Sequence, residues 1–183
     1  MLRRRTALPS PVRGSLRAAC RAAGLDPHVL AEAPGPGPAD QRRWAVALRS
    51  HLGYGSGDDW TFVPWHEVDH GSWNGETATL EVDQRGEVTD GLVRPGGRRH
   101  RIELTDPQRV PEVMADRVAA TILFHRQLPV PDSAAVLTVT ARRNLADQSL
   151  EWLAVPGRGV RTRDPDVRQF AAAAIRRLRR EYE

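Results

Sequence analysis

One short stretch of this chain has the residue types and spacing of a known chemistry: His66-Glu67-Val68-Asp69-His70, an HExxH pattern. On a helix, histidines four residues apart lie one turn apart on one face. Both imidazoles can then ligate one Zn²⁺ while the glutamate polarises a water for hydrolysis. That chemistry requires a helix, and the flanks argue against one. Pro64 stands two residues before His66, and Gly71 and Asn74-Gly75 follow closely, which leaves room for barely two turns. On an extended chain the two histidines share a face about 13 Å apart, too far for one metal. Zinc-dependent hydrolysis through His66, Glu67 and His70 is therefore the alternative reading. The preferred reading is the edge of a hairpin, with no cofactor.

A second chemistry is anion binding. Arg94-Pro95-Gly96-Gly97-Arg98-Arg99-His100-Arg101 combines turn glycines, which let a backbone approach a phosphate, with the guanidinium forks of Arg94, Arg98, Arg99 and Arg101. Arg42 and Arg43 form another basic pair. Residues 1–25 carry arginines at 3, 4, 5, 13, 17 and 21 and no acid, so nucleic-acid binding through the arginine-rich segments is a further alternative. The total charge is a weak guide to partners. All 27 basic residues are arginine, a bias of high-G+C genomes, and the net charge is only +4. Other chemistries lack their signatures. The remaining histidines (28, 51, 100 and 125) do not cluster in sequence, and no serine sits at a strand-to-helix elbow. Cys20 is the single cysteine, which excludes an internal disulfide and a Cys-rich zinc site.

The elements that would position these residues follow from periodicity. With 183 residues the chain suits one domain, or one domain with a small extension. Residues 1–10 read as a disordered basic arm with no signal-peptide pattern, which points to a cytoplasmic protein. No apolar run approaches the ~20 residues of a membrane helix, so no transmembrane segment is expected. Val12, Leu16, Ala19 and Ala23 predict a short helix over 11–24 closed by Gly24. Strands are predicted at 28–33, 43–48, 51–54, 60–65, 77–82, 99–104, 135–142 and 150–155, with a weaker one at 88–93. Asn74-Gly75 predicts a two-residue type I′ turn. Thr105-Asp106-Pro107 predicts a helix cap, with the helix running to about 122; 122–130 reads equally as helix or strand. Asp164-Pro165-Asp166 opens a C-terminal helix whose apolar face is Val167, Phe170, Ala171, Ala174, Ile175 and Leu178. Many short strands, two or three helices and no phosphate-binding glycine loop indicate an α+β fold with a mainly antiparallel sheet.

The residues Trp60, Val63, Pro64, Trp65 and Val68, followed by Trp73, Leu80 and Val82, resemble the core pattern of bacterial pleckstrin-homology-like (PH-like) domains, in particular a group from high-G+C bacteria. The resemblance covers about residues 12–126. It implies a strongly bent antiparallel sheet or barrel capped by a helix, either 107–122 or 164–182, and no catalytic site. On this reading residues 11–126 form the barrel with its N-terminal and closing helices. Residues 127–183 add a β-hairpin and a C-terminal helix that pack on, or complete, the same domain. Members that bind phosphoinositides hold the headgroup around the first hairpin loop. The corresponding loop here, PGPGPADQRR, offers Arg42 and Arg43 but also Asp40 and no lysine. The expected function is thus a non-enzymatic binding module for a protein or an anionic surface.

Overall fold

The computed structural model describes residues 7–131 and 133–182, so the first six positions of the expected arm lie outside it. Leu8 is buried, and its N–H donates to Glu32 Oε1 at 3.1 Å. The helix α1 (Ser10–Ala22) ends as its sequence predicts. Gly24 adopts φ +69°, the Leu25 N–H donates to Cys20 O at 2.8 Å and the Gly24 N–H donates to Arg21 O at 3.2 Å, a Schellman closure.

Four strands then form an antiparallel sheet in chain order: β1 (Val29–Pro34), β2 (Trp44–Leu48), β3 (His51–Ser56) and β4 (Asp59–Pro64). The alternation in β2 explains why it is buried on both faces. Trp44, Val46 and Leu48 pack under α1 with Leu16 and Cys20, whereas Ala45 and Ala47 face the other way. The small alanines leave room on that face for Trp65, Leu80 and Met114 in a second core.

At Pro64 the first sheet ends on its edge strand, where a residue without an N–H is tolerated. A single 3₁₀ turn, Trp65–Glu67, carries the chain into β5 (Val68–Asn74) and then β6 (Thr79–Gln84). The connection between them corrects the expected type I′ turn. The Asn74 side-chain oxygen accepts the N–H groups of Glu76 and Thr77, which stabilises a longer loop, and Ala78 instead takes the positive φ of 50°. The type I′ geometry occurs further on. An arm of two short strands, β7 (Val88–Thr89) and β8 (Leu92–Val93), turns at Asp90 and Gly91 with φ of 53° and 78°. The neck of this arm is narrow: a side chain on Gly86 or Gly97 would run into the backbone of Arg94 or Gln84. The chain then returns as β9 (Arg98–Glu103), which pairs with β6 to complete the three-stranded sheet β5-β6-β9.

The helix α2 (Val110–Thr121) starts later than its cap signal predicts. Asp106 Oδ1 accepts the Gln108 N–H in a local turn, and at the helix start the Val113 N–H donates to Arg109 O at 3.0 Å. Residues 122–129 are strand β10 (Ile122–Pro129), which follows the helix without a loop. With β11 (Val136–Arg143), β12 (Leu150–Pro156) and the arm, it forms a third sheet of order β10-β11-β12-β8-β7. The β8–β12 pairing is parallel, with the Ala154 N–H donating to Gly91 O at 2.8 Å. The helix α3 (Pro165–Tyr182) begins at the predicted cap, where Asp164 Oδ1 accepts the Asp166 N–H at 3.0 Å. It lays Val167, Ala171, Ala174 and Leu178 on one face of the third sheet.

The protein is thus α+β, with antiparallel sheets and three α-helices among the described residues. The expected closed barrel does not form, because the strands divide into three separate sheets. The first two sheets share one core with Val110, Val113 and Met114 of α2, while α3 belongs to the third sheet. Isolated hydrogen bonds join the first two sheets where β-ladders are missing, from Trp65 N–H to Ser50 O at 3.1 Å and from the Thr105 N–H and hydroxyl to Pro34 O at 2.9 and 3.1 Å. No helix among the described residues is long and apolar enough to cross a membrane.

Candidate functional site

The HExxH residues occupy the 3₁₀ turn and the first residues of β5, so the helix that two-histidine ligation requires is absent. Their side chains also separate. Glu67 accepts a hydrogen bond from Gln84 Nε2 at 2.7 Å. Asp69 turns to Arg142, with Oδ1 4.0 Å from Nη2. His70 is exposed on β5 opposite Asp83. His66 is half-buried and its Nδ1 has no hydrogen-bond partner. Burial pushes the His66 imidazole below the usual histidine range, against the pull of Glu67. No group of three or more His, Cys, Asp or Glu side chains among the described residues is arranged to hold a metal.

Glu67 instead terminates a hydrogen-bonded chain that crosses both sheets. Gln84 donates through Nε2 to Glu67, which leaves its Oε1 to accept from His100 Nε2 at 2.9 Å. A neutral His100 protonated on Nε2 then accepts the Tyr54 hydroxyl proton on Nδ1 at 2.8 Å. Each of these three hydrogen bonds pairs one donor with one acceptor, which favours burying the chain. Burial, and then the nearby Arg98, hold the His100 pKa below its ordinary value, in keeping with that neutral tautomer. Sequence reasoning missed Tyr54 and Gln84, which sit 46 and 16 residues from His100 and carry no local motif.

The predicted basic residues fall into two groups. Arg99 forks onto Asp83 at 2.6 and 3.0 Å, and Arg101 pairs with Glu81 at 3.1 Å; β6 supplies both acids by cross-strand register. Arg43 pairs with Asp59 at 3.0 Å, and Arg42 donates to the Gly37 carbonyl at 3.0 Å. Arg43 and Arg101, distant in sequence, line one cleft of about 410 Å³ between the first two sheets. Its other walls are Pro36, Trp44, Tyr54, Ile102 and Glu103. Because the Tyr54 proton is committed to His100, its oxygen offers this cleft an acceptor beside the guanidinium donors. Arg94 and Arg98 do not reach it; Arg94 leaves β8 on the side of α3 and pairs at 3.5 Å with exposed Glu87.

Two further arginines join the second sheet to the third. Arg142 of β11 donates through Nη1 to Val68 O at 3.0 Å and Thr121 Oγ1 at 3.3 Å. Arg85, just after β6, donates to Glu151 of β12 at 2.5 Å, and its other terminal nitrogen is buried without a partner. This chain matches no protein-family model, no curated protein and no solved structure.

Proposed function

We propose that this protein is a PH-like, non-enzymatic cytoplasmic binding module that takes a protein or peptide ligand in the cleft between its first two sheets. The fold part of this reading draws support from a four-stranded and a three-stranded antiparallel sheet that enclose one core with α2. The observation that carries the ligand class is the lining of the cleft itself. Trp44 and Ile102 provide an apolar floor, Arg43 and Arg101 provide donors, and Tyr54 and Glu103 provide acceptors. That mixture matches the donors, acceptors and side chains of a polypeptide. A phosphate would meet Glu103 and would have to displace Asp59 and Glu81 from the two arginines, so an anionic headgroup is disfavoured here.

The test is selection of displayed random peptides on the full-length protein, followed by binding to Arg43→Glu and Arg101→Glu variants. Both arginines are more than half exposed, so neither substitution threatens the fold. The expected result is a loss of roughly tenfold or more in affinity for each variant. Selected peptides that bind the variants as tightly as the parent would refute this site.

A further inference from the structure

A second cleft, of about 430 Å³, opens where the β7–β8 arm meets the start of α3. Arg94, Arg163 and Arg168 converge on it from three chain positions: the exit of β8, the turn before α3 and the first turn of α3. Thr89 and Thr162 add hydroxyls, and no acidic side chain lines it. Its scaffold is fixed, because Leu92 of the arm is packed with Val167 and Ala171 of α3 in one buried cluster. We infer that this cleft binds a phosphate group.

Three like charges around one concavity repel each other, and nothing within the cleft offsets that repulsion. Arg163 and Arg168 make no ion pair with any described residue, in contrast to Arg43, Arg99 and Arg101. Arg94 has only Glu87, in an exposed pair of small worth. Acids are nearby but turn away: Asp164 and Asp166 line the neighbouring cleft with Arg161, on the other side of the helix start. The charge is therefore sorted into a cationic and a mixed side. Guanidinium forks and hydroxyls present several donors to the tetrahedral oxygens of a phosphate, and its double charge offsets more than one arginine. The volume suits a small organic phosphate. The site is independent of the peptide cleft, which lies between the other two sheets.

Calorimetric titration of the full chain with inorganic pyrophosphate at low salt tests this inference, with phosphatidylcholine vesicles containing phosphatidic acid as a second arm. The Arg163→Ala/Arg168→Ala protein is compared with Arg176→Ala/Arg180→Ala, which removes equal charge from the exposed far end of α3. The expected result is pyrophosphate binding that falls roughly tenfold or more in the first protein and less than about twofold in the second. The same pattern seen with vesicles alone supports the site and identifies the source as a lipid headgroup. Failure of both probes, or equal losses in the two double variants, overturns it.

Discussion

At the seam between the second and third sheets, Arg85 and Arg142 are buried, and each is held by groups of the facing sheet. At the cleft beside α3, Arg94, Arg163 and Arg168 are exposed and face open volume. The side chain is the same and its role is reversed. A buried guanidinium loses its water, so Val68 O, Thr121 Oγ1 and Glu151 offset part of that cost by accepting from it. An exposed guanidinium is already solvated by water, so the fold gains little by pairing it, and three of them around a concavity are available to the proposed phosphate. Arginine content therefore says little about function until each guanidinium is placed.

The largest way to break this comparison is Arg142→Ala. It removes the buried donor that meets the Val68 carbonyl and the Thr121 hydroxyl, at an expected cost of about 2 kcal/mol. Denaturant unfolding measures it, and a loss below about 1 kcal/mol would show the seam to be dispensable. Burial holds Arg142 below its ordinary range, although an arginine remains charged throughout, and partial burial holds Asp69 above its own. The fold should also respond to pH. His51, His66 and His100 all have folded pKa values lowered first by burial. The unfolded chain then binds more protons than the fold below the ordinary value of 6.5, so stability is present above that pH and declines beneath it. The expected slope is on the order of 1 kcal/mol per pH unit for each histidine that stays neutral. His66→Gln should flatten it in unfolding curves measured on both sides of 6.5; an unchanged slope would separate His66 from the effect. The smallest expected change sharpens the other side of the comparison. Arg163→Ala/Arg168→Ala should alter unfolding stability by no more than about 0.5 kcal/mol, because neither side chain supports the fold.

The cap of α3 at Asp164-Pro165-Asp166, the closure of α1 at Gly24 and the alternation in β2 were all readable from residues within one or two turns of each other. Asn74-Gly75 and Asp90-Gly91 carry equivalent turn signals, yet only the second folds as a type I′ turn, because the Asn74 side chain captures two backbone N–H groups. The HExxH stretch was readable as extended from Pro64 and Gly71. Its partners were not, since Gln84 and Arg85 reach it through the pairing of β5 with β6 and Arg142 reaches it from the third sheet. Of the basic hairpin, Arg99 and Arg101 proved to be matched by acids on β6, a register that no local pattern of Arg98–Arg101 specifies. Arg163 and Arg168 passed unnoticed because they flank a strong helix cap, and the arm that completes their cleft lies some seventy residues earlier.

Local sequence marked most strands and helices, the α+β class and several element ends, while it left 122–130 open between helix and strand. These follow from backbone sterics, capping groups and side-chain alternation, all of which act over a few residues. Only the tertiary structure decided that the strands divide among three sheets, that the arm joins β12, and which arginines are neutralised. Those outcomes depend on which apolar faces bury one another, and the identity of the facing strand is not encoded near either partner.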